Sequence, residues 1–339
     1  MFRDPPERLV ENGEVRFGLF KSPVKEINAS DYILLDEMDR EVRGVRKRLR
    51  IHFFNYFGVI HPDLTIGIAI YDLAYLGGYF LYIYDHNSGE LLERGSKSPF
   101  SRGVDFPHRT GSEVISFYSG KEKILFKQMG NESRRIVEVS IPDIALHFTM
   151  NDDEKLLPSL SLCTRNSYSG WTYTQKKAGA EVIEGEVDYR DMKIDLGGAK
   201  VIFDWTGGFL RRDTYWLWAA GVGEAGGQEF GFNFSNGVNE TSWTENAIWL
   251  DGKLIKIEGV EFEFNRFNPD CKWRIRGSKG EFELEFRSSG ARREKLDLKF
   301  IKSNFVQFFG EFEGYVETPD GRRVDVKARG FTEKHFARW

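Results

Sequence analysis

The chain has 339 residues and a formal net charge of −4 with nearly matched signs. That length exceeds one ordinary core, and the charge balance excludes a global field that would gather nucleic acid. Aromatic residues make up 15% of the chain, Gly is abundant and Pro modest, a mixture suited to half-buried strands joined by tight turns.

The opening MFRDPPERLVENGE lacks an apolar signal core, which makes a cytoplasmic protein the expectation. The run DREVRGVRKRLRI follows, with Arg40, Arg43, Arg46, Lys47, Arg48 and Arg50. It reads as a solvated strand face. Peripheral contact with anionic lipid heads stays open, but no aromatic platform for nucleic acid is interleaved with it.

TIGIAIYDLAYLGGYFLYIY, Thr65 to Tyr84, carries one charge, Asp72, and is long enough to span a bilayer. Its Leu76-Gly77-Gly78 centre and its β-branched and aromatic flanks predict two paired strands instead. Cys163 and Cys271 form no CxxC pair and indicate no disulfide framework.

All eight tryptophans lie at or after Trp171. A domain boundary is therefore expected in CTRNSYSG, giving units 1–165 and 166–339. EVIEGEVDYRDMKIDLGG, KLIKIEGVEFEFNRF, CKWRIRGSKGEFELEFRSSG and GEFEGYVETPDGRRVDVKARGF all alternate with a period of two, and no long stretch has a 3.6-residue apolar stripe. The prediction is all-β, with two barrels of similar build.

Gly221-Val222-Gly223-Glu224-Ala225-Gly226 matches GxGxxG, but GQEFGFNFSNG after it makes a poor helix, so a glycine loop between strands is expected rather than a dinucleotide site. The six histidines make neither HxH nor HExxH, and no GxSxG elbow occurs. No metal or cofactor is expected from sequence.

VIFDWTGGFLRRDTYWLWAAG, Val201 to Gly221, gathers rings around a lone acid, Asp204. On a strand Ile202, Asp204 and Thr206 share one face, and Val201, Phe203 and Trp205 the other. After Gly207-Gly208, Arg212, Thr214, Trp216 and Trp218 share a face, which offers Arg212 as a partner for Asp204. NETSWTENAIWLDGK adds Glu245, Asn246 and Trp249 as polar and aromatic groups of the same pocket anatomy. The rings either form solid core or line a cavity, and Asp204 is either an ion-pair anchor or a catalytic acid.

NGEVRFGLFKSPVKEINASDY, DWTGGFLRRDTYWLWAAG, ENAIWLDGK and GFTEKHFARW together resemble the family catalogued as domain of unknown function 2804, over nearly the whole chain. That family is similar to the carotenoid 1,2-hydratase, tocopherol cyclase and AttH-like group. The resemblance implies two lipocalin-like β-barrels in tandem and acid-base chemistry, without a redox cofactor, on an isoprenoid or lipid double bond by hydration or cyclisation. It implies Asp204 as the proton donor. Trp205, Arg212, Trp216, Trp218, Glu245, Asn246 and Trp249 are the residues expected around the hydrophobic small molecule. Two alternatives stand beside this reading: a non-catalytic carrier of such a ligand, and a carbohydrate-binding β-protein.

Overall fold

A computed structural model describes residues 2–110, 113–129, 132–239, 241–270, 272–298 and 301–338. Cys271 lies outside them. The architecture is all-β: two curled sheets, of 14 and 9 strands, form lipocalin-like barrels in tandem. Each wraps its own apolar core. A third apolar cluster fills the seam where the sheets pack against each other. Among the described residues the one α-helix is Gly44–Arg48.

The first sheet takes its strands from Gly18–Phe20 through Lys200–Phe209, and the second begins at Asp213–Ala225. The change of sheet therefore falls at 210–212 and not at 165. The reason is the 19-residue strand Trp171–Tyr189, which pairs with Leu160–Arg165, Ile144–Asn151 and Lys200–Phe209 and so ties the segment after 165 into the first barrel.

Three local expectations need correction. The basic run forms the short helix Gly44–Arg48 rather than a strand, with Arg46 and Arg48 exposed. The strands Leu64–Asp72 and Leu76–Asp85 pair as expected, but the chain reverses through Leu73 to Tyr75, where Ala74 has φ 65°, and not at Gly77-Gly78. No helix among the described residues is long and apolar enough to cross a membrane. Gly221 and Gly223 lie inside a strand, and the hairpin turn after Ala225 is Gly226-Gly227, both at positive φ as a tight two-residue turn requires.

In the long strand, Trp171 and Tyr173 face the first core and Lys176 and Ala178 face the seam. A bulge at Gly179 (φ 105°) shifts the pairing by one residue, after which Ala180 and Val182 face the core. Lys177 points opposite to Lys176, into the first barrel, where its Nζ lies 2.9 Å from Asp152 Oδ1 and 3.1 Å from Glu154 Oε1. Arg135 reaches Asp152 from the other side at 2.8 Å. Burial opposes ionisation of Asp152, but the two cations outweigh it and hold its carboxyl below the usual range.

Glu113 also lies inside this barrel, against the indole of Trp205 and near Arg135. Neither carboxyl oxygen makes a well-formed hydrogen bond. Burial pushes the Glu113 carboxyl up to about 8, with Arg135 only partly opposing it.

The folded chain holds the Glu113 proton to higher pH than the unfolded chain. Its contribution is fully present below pH 4.5 and is lost as pH rises through about 8. Glu113→Gln removes the titration. Urea unfolding at about pH 5 and about pH 9 should show the wild type losing on the order of 4 kcal/mol more than the variant.

Candidate functional site

The seam is built from rows of side chains set by strand register. In the first sheet Lys176 is paired with Asp204, and Asp204 with Tyr56, so the three form one row across three strands. In the second sheet Ser235, Trp218, Glu333, Gln307 and Arg292 form the facing row. The rows meet along their length. Lys176 Nζ lies 5.6 Å from the Trp218 ring centroid. The Tyr56 ring meets Trp218 at 5.7 Å and Phe331 at 5.9 Å, both edge to face. The Arg292 guanidinium sits 4.6 Å over Phe80 and 4.8 Å over Tyr82.

At one end of the seam is a three-charge cluster. Lys176 Nζ is 2.5 Å from Asp204 Oδ2 and 3.4 Å from Glu245 Oε2, so one ammonium bridges a carboxylate of the first sheet and one in the loop before Ala247–Leu250 of the second. Thr206 Oγ1 donates to Asp204 Oδ1 at 2.8 Å. All three charged side chains are buried. Burial raises the Asp204 carboxyl; Lys176 opposes the shift, Glu245 adds to it, and the net direction is upward. For Lys176, burial acts downward, but Asp204 and Glu245 outweigh it and hold the ammonium above its usual range. The causes differ: burial moves the Asp204 carboxyl, and the two neighbouring carboxylates move the Lys176 ammonium.

A second polar group lies along the same row. Glu333 accepts a hydrogen bond from Trp216 Nε1 at 2.8 Å and one from Gln307 Nε2 at 3.2 Å. His335 Nδ1 stands 3.7 Å from its Oε1. The hydroxyls of Tyr56 and Tyr82 are 2.7 Å apart. Burial raises both phenols, and the nearby Glu333 charge acts on each in the same direction.

The residues singled out from sequence divide as follows. Asp204, Glu245, Trp216 and Trp218 come together in the seam. Trp205 is on the opposite face of the Asp204 strand, packed in the first core against Phe53 and Tyr173. Arg212 is exposed after the last strand of the first sheet and makes no ion pair with Asp204, whose partner is Lys176. Asn246 holds backbone: its Oδ1 accepts from Ser235 N at 2.6 Å. Trp249 is in the seam cluster, its Nε1 donating to Pro158 O at 2.7 Å. The cleft touching Trp249 has about 20 Å³ of free volume, well below the roughly 300 Å³ expected of a ligand cavity.

Sequence reasoning passed over Lys176, Tyr56 and Glu333, and placed Thr206 on the Asp204 face without giving it a role. A signal for one of them exists: WTYTQKKAGA sets two adjacent lysines inside a strand pattern, so alternation must send one to each face. Among the described residues no three His, Cys, Asp or Glu side chains converge as metal ligands.

The sequence model of the family described as "Domain of unknown function (DUF2804)" matches residues 3–339. No curated protein matches the chain. Among solved structures, kievitone hydratase from Nectria haematococca is similar with TM-score 0.53 at 11% identity, over 94% of this chain and 97% of that one. CghA is similar with TM-score 0.52 at 11% identity, over 86% and 88%. At such identity the likeness is one of fold.

Lys176→Met tests the cluster. It leaves Asp204 and Glu245 buried without their counter-ion, and an expected loss of about 3–5 kcal/mol follows. Chemical unfolding should show a smaller loss near pH 5 than near pH 8, because protonated carboxyls need no counter-ion.

Proposed function

The chain belongs to the DUF2804 family, and on that premise we propose that the seam is the active site of an enzyme that protonates the double bond of a hydrophobic, isoprenoid-like substrate. Addition of water or closure of a ring completes the reaction. Asp204 is the general acid. The observation that carries this reading is the buried pair of carboxyls, Asp204 and Glu245, sharing the single ammonium of Lys176.

Protonating an alkene needs a donor that still holds its proton near neutral pH and yields it to carbon. An ordinary carboxyl, ionising near 3.9, has lost that proton. Asp204 is shifted in the required direction by burial, which Lys176 only partly offsets and to which Glu245 adds. The cation formed on carbon needs stabilisation without a reactive lone pair, and the aromatic faces of Trp218 and Tyr56 beside the cluster supply it. The half-buried rings Phe54, Phe80, Trp216 and Phe305 give the seam a greasy rim through which an apolar molecule enters. The fold shared with a hydratase, kievitone hydratase, supports the same reading.

One observation favours a second reading. The seam rings are close-packed, and Lys176 at 2.5 Å holds Asp204 in a tight ion pair. A binding protein, or a cluster that only locks the two barrels, would look the same at rest.

Asp204→Asn separates the two. It removes the proton and keeps the shape, and it leaves Lys176 paired with Glu245 as a neutral couple, so folding is expected to survive. With ortho-prenylphenol, which reports both hydration and ring closure, turnover should fall at least about 100-fold. Tryptophan quenching by the same compound should be unchanged. Undiminished turnover in the variant makes Asp204 a structural residue.

A further inference from the structure

Glu333 is a buried carboxylate that the chemistry assigned to Asp204 leaves unused. It is 6% exposed and lies on the seam face of the second sheet, as the register partner of Trp218. Asp204 is the register partner of Tyr56 on the facing sheet, and the Tyr56 and Trp218 rings touch. The two acids thus stand on opposite walls with the same pair of rings between them.

Their surroundings differ in kind. Asp204 is held by an ammonium and a second carboxylate. Glu333 accepts hydrogen bonds from two neutral donors, Trp216 Nε1 and Gln307 Nε2. Among the described residues no lysine or arginine lies within 4.0 Å of it. Both oxygens therefore act as acceptors, the arrangement that orients a carboxylate to receive a proton.

We propose that Glu333 is the general base that takes the proton from the attacking water or hydroxyl, the counterpart of Asp204. This rests on the reading of the seam given above. In the forward step the alkene π bond breaks and a C–H bond forms with the Asp204 proton. The oxygen nucleophile forms a C–O bond to the resulting cation, and its O–H bond breaks with the proton passing to Glu333. Asp204 ends as a carboxylate beside Lys176, and Glu333 ends protonated. His335, half-buried and hydrogen-bonded through Nε2 to Ser303 Oγ at 2.9 Å, stands 3.7 Å from Glu333 Oε1 and gives that proton its way to solvent. The charged and titratable groups facing Glu333 are His335 on its own strand, Tyr56 and Tyr82 across the seam, and Arg292 further along its row.

The test uses the full chain and ortho-prenylphenol in heavy water. Two readouts are followed: conversion to hydrated or ring-closed product, and deuterium entering the recovered alkene, which reports reversible protonation alone. Glu333→Gln keeps an acceptor for Trp216. It should lower kcat at least about 100-fold with KM within about threefold, abolish the acidic limb of the pH-rate profile, and still label the alkene. Trp216→Phe, which keeps the base and removes one donor to it, should move that limb to higher pH.

Wild-type conversion by Glu333→Gln, or labelling that falls in step with conversion, overturns the assignment while the seam reading stands. An acidic limb left in place by Trp216→Phe also overturns the assignment. Asp204→Asn should show neither label nor product; if it shows both, the seam reading falls first. A wild-type protein that neither labels nor converts the probe overturns both.

Discussion

A buried ammonium binds the two barrels at the seam, beside the more exposed cross-barrel pairs Lys200–Glu229, Lys97–Glu294 and Arg292–Glu93. Lys176 reaches Asp204 on its own sheet and Glu245 in a loop of the other barrel, and all three side chains are out of water. Removing three charges from solvent costs more than their mutual attraction returns unless the geometry is close and the remaining lone pairs are met. Thr206 meets one of them on Asp204, and Asn239 Nδ2 approaches Glu245 Oε2 at 3.4 Å. The segment that carries Glu245 is itself tied down, since Asn233 Nδ2 donates to the Glu245 carbonyl while Asn233 Oδ1 accepts from Trp218 Nε1. The Trp218 indole that packs against Tyr56 in the seam therefore also helps to set the carboxylate that completes the cluster.

The rest of the seam depends on where two strands change the side they show. Without the bulge at Gly179, a strict period of two would send Ala180 and Val182 outward with Lys176. The second sheet has a similar shift between Ser288 and Gly290. Before it Phe282, Leu284 and Phe286 fill the second core; after it Arg292 turns to the seam. Each bulge lets one long strand serve a core with one part and the interface with another. Close approach matters as well. A Cβ at Gly67 would lie 2.2 Å from the Tyr82 ring, so only glycine lets that ring lie against the first sheet beside Tyr56.

Burial underlies both the seam's role as a lock and the role proposed for it as a site. Dry surroundings make an unpaired charge costly, which is why the cluster holds the barrels in register. The same dryness lifts the Asp204 carboxyl toward the range where an acid is useful. Stability and the proposed chemistry thus draw on one desolvation.

Much of the architecture was legible without coordinates. Period-two alternation, Gly and Pro-Asp-Gly turns and the lack of a helical stripe determine an all-β chain, because side-chain direction in a strand is a local property. The same rule separates Asp204 from Trp205 correctly onto two faces of one strand. It cannot say which face is a core, which is a seam, or what stands opposite. Arg212, near Asp204 in sequence, lies in solvent, while Lys176, 28 residues earlier, is its partner through the pairing of Trp171–Tyr189 with Lys200–Phe209. The boundary at 210–212, the side on which Lys176 emerges and the approach of Glu245 from the second barrel were decided by register and bulges. These are set by contacts between segments far apart in the chain, which no local pattern records.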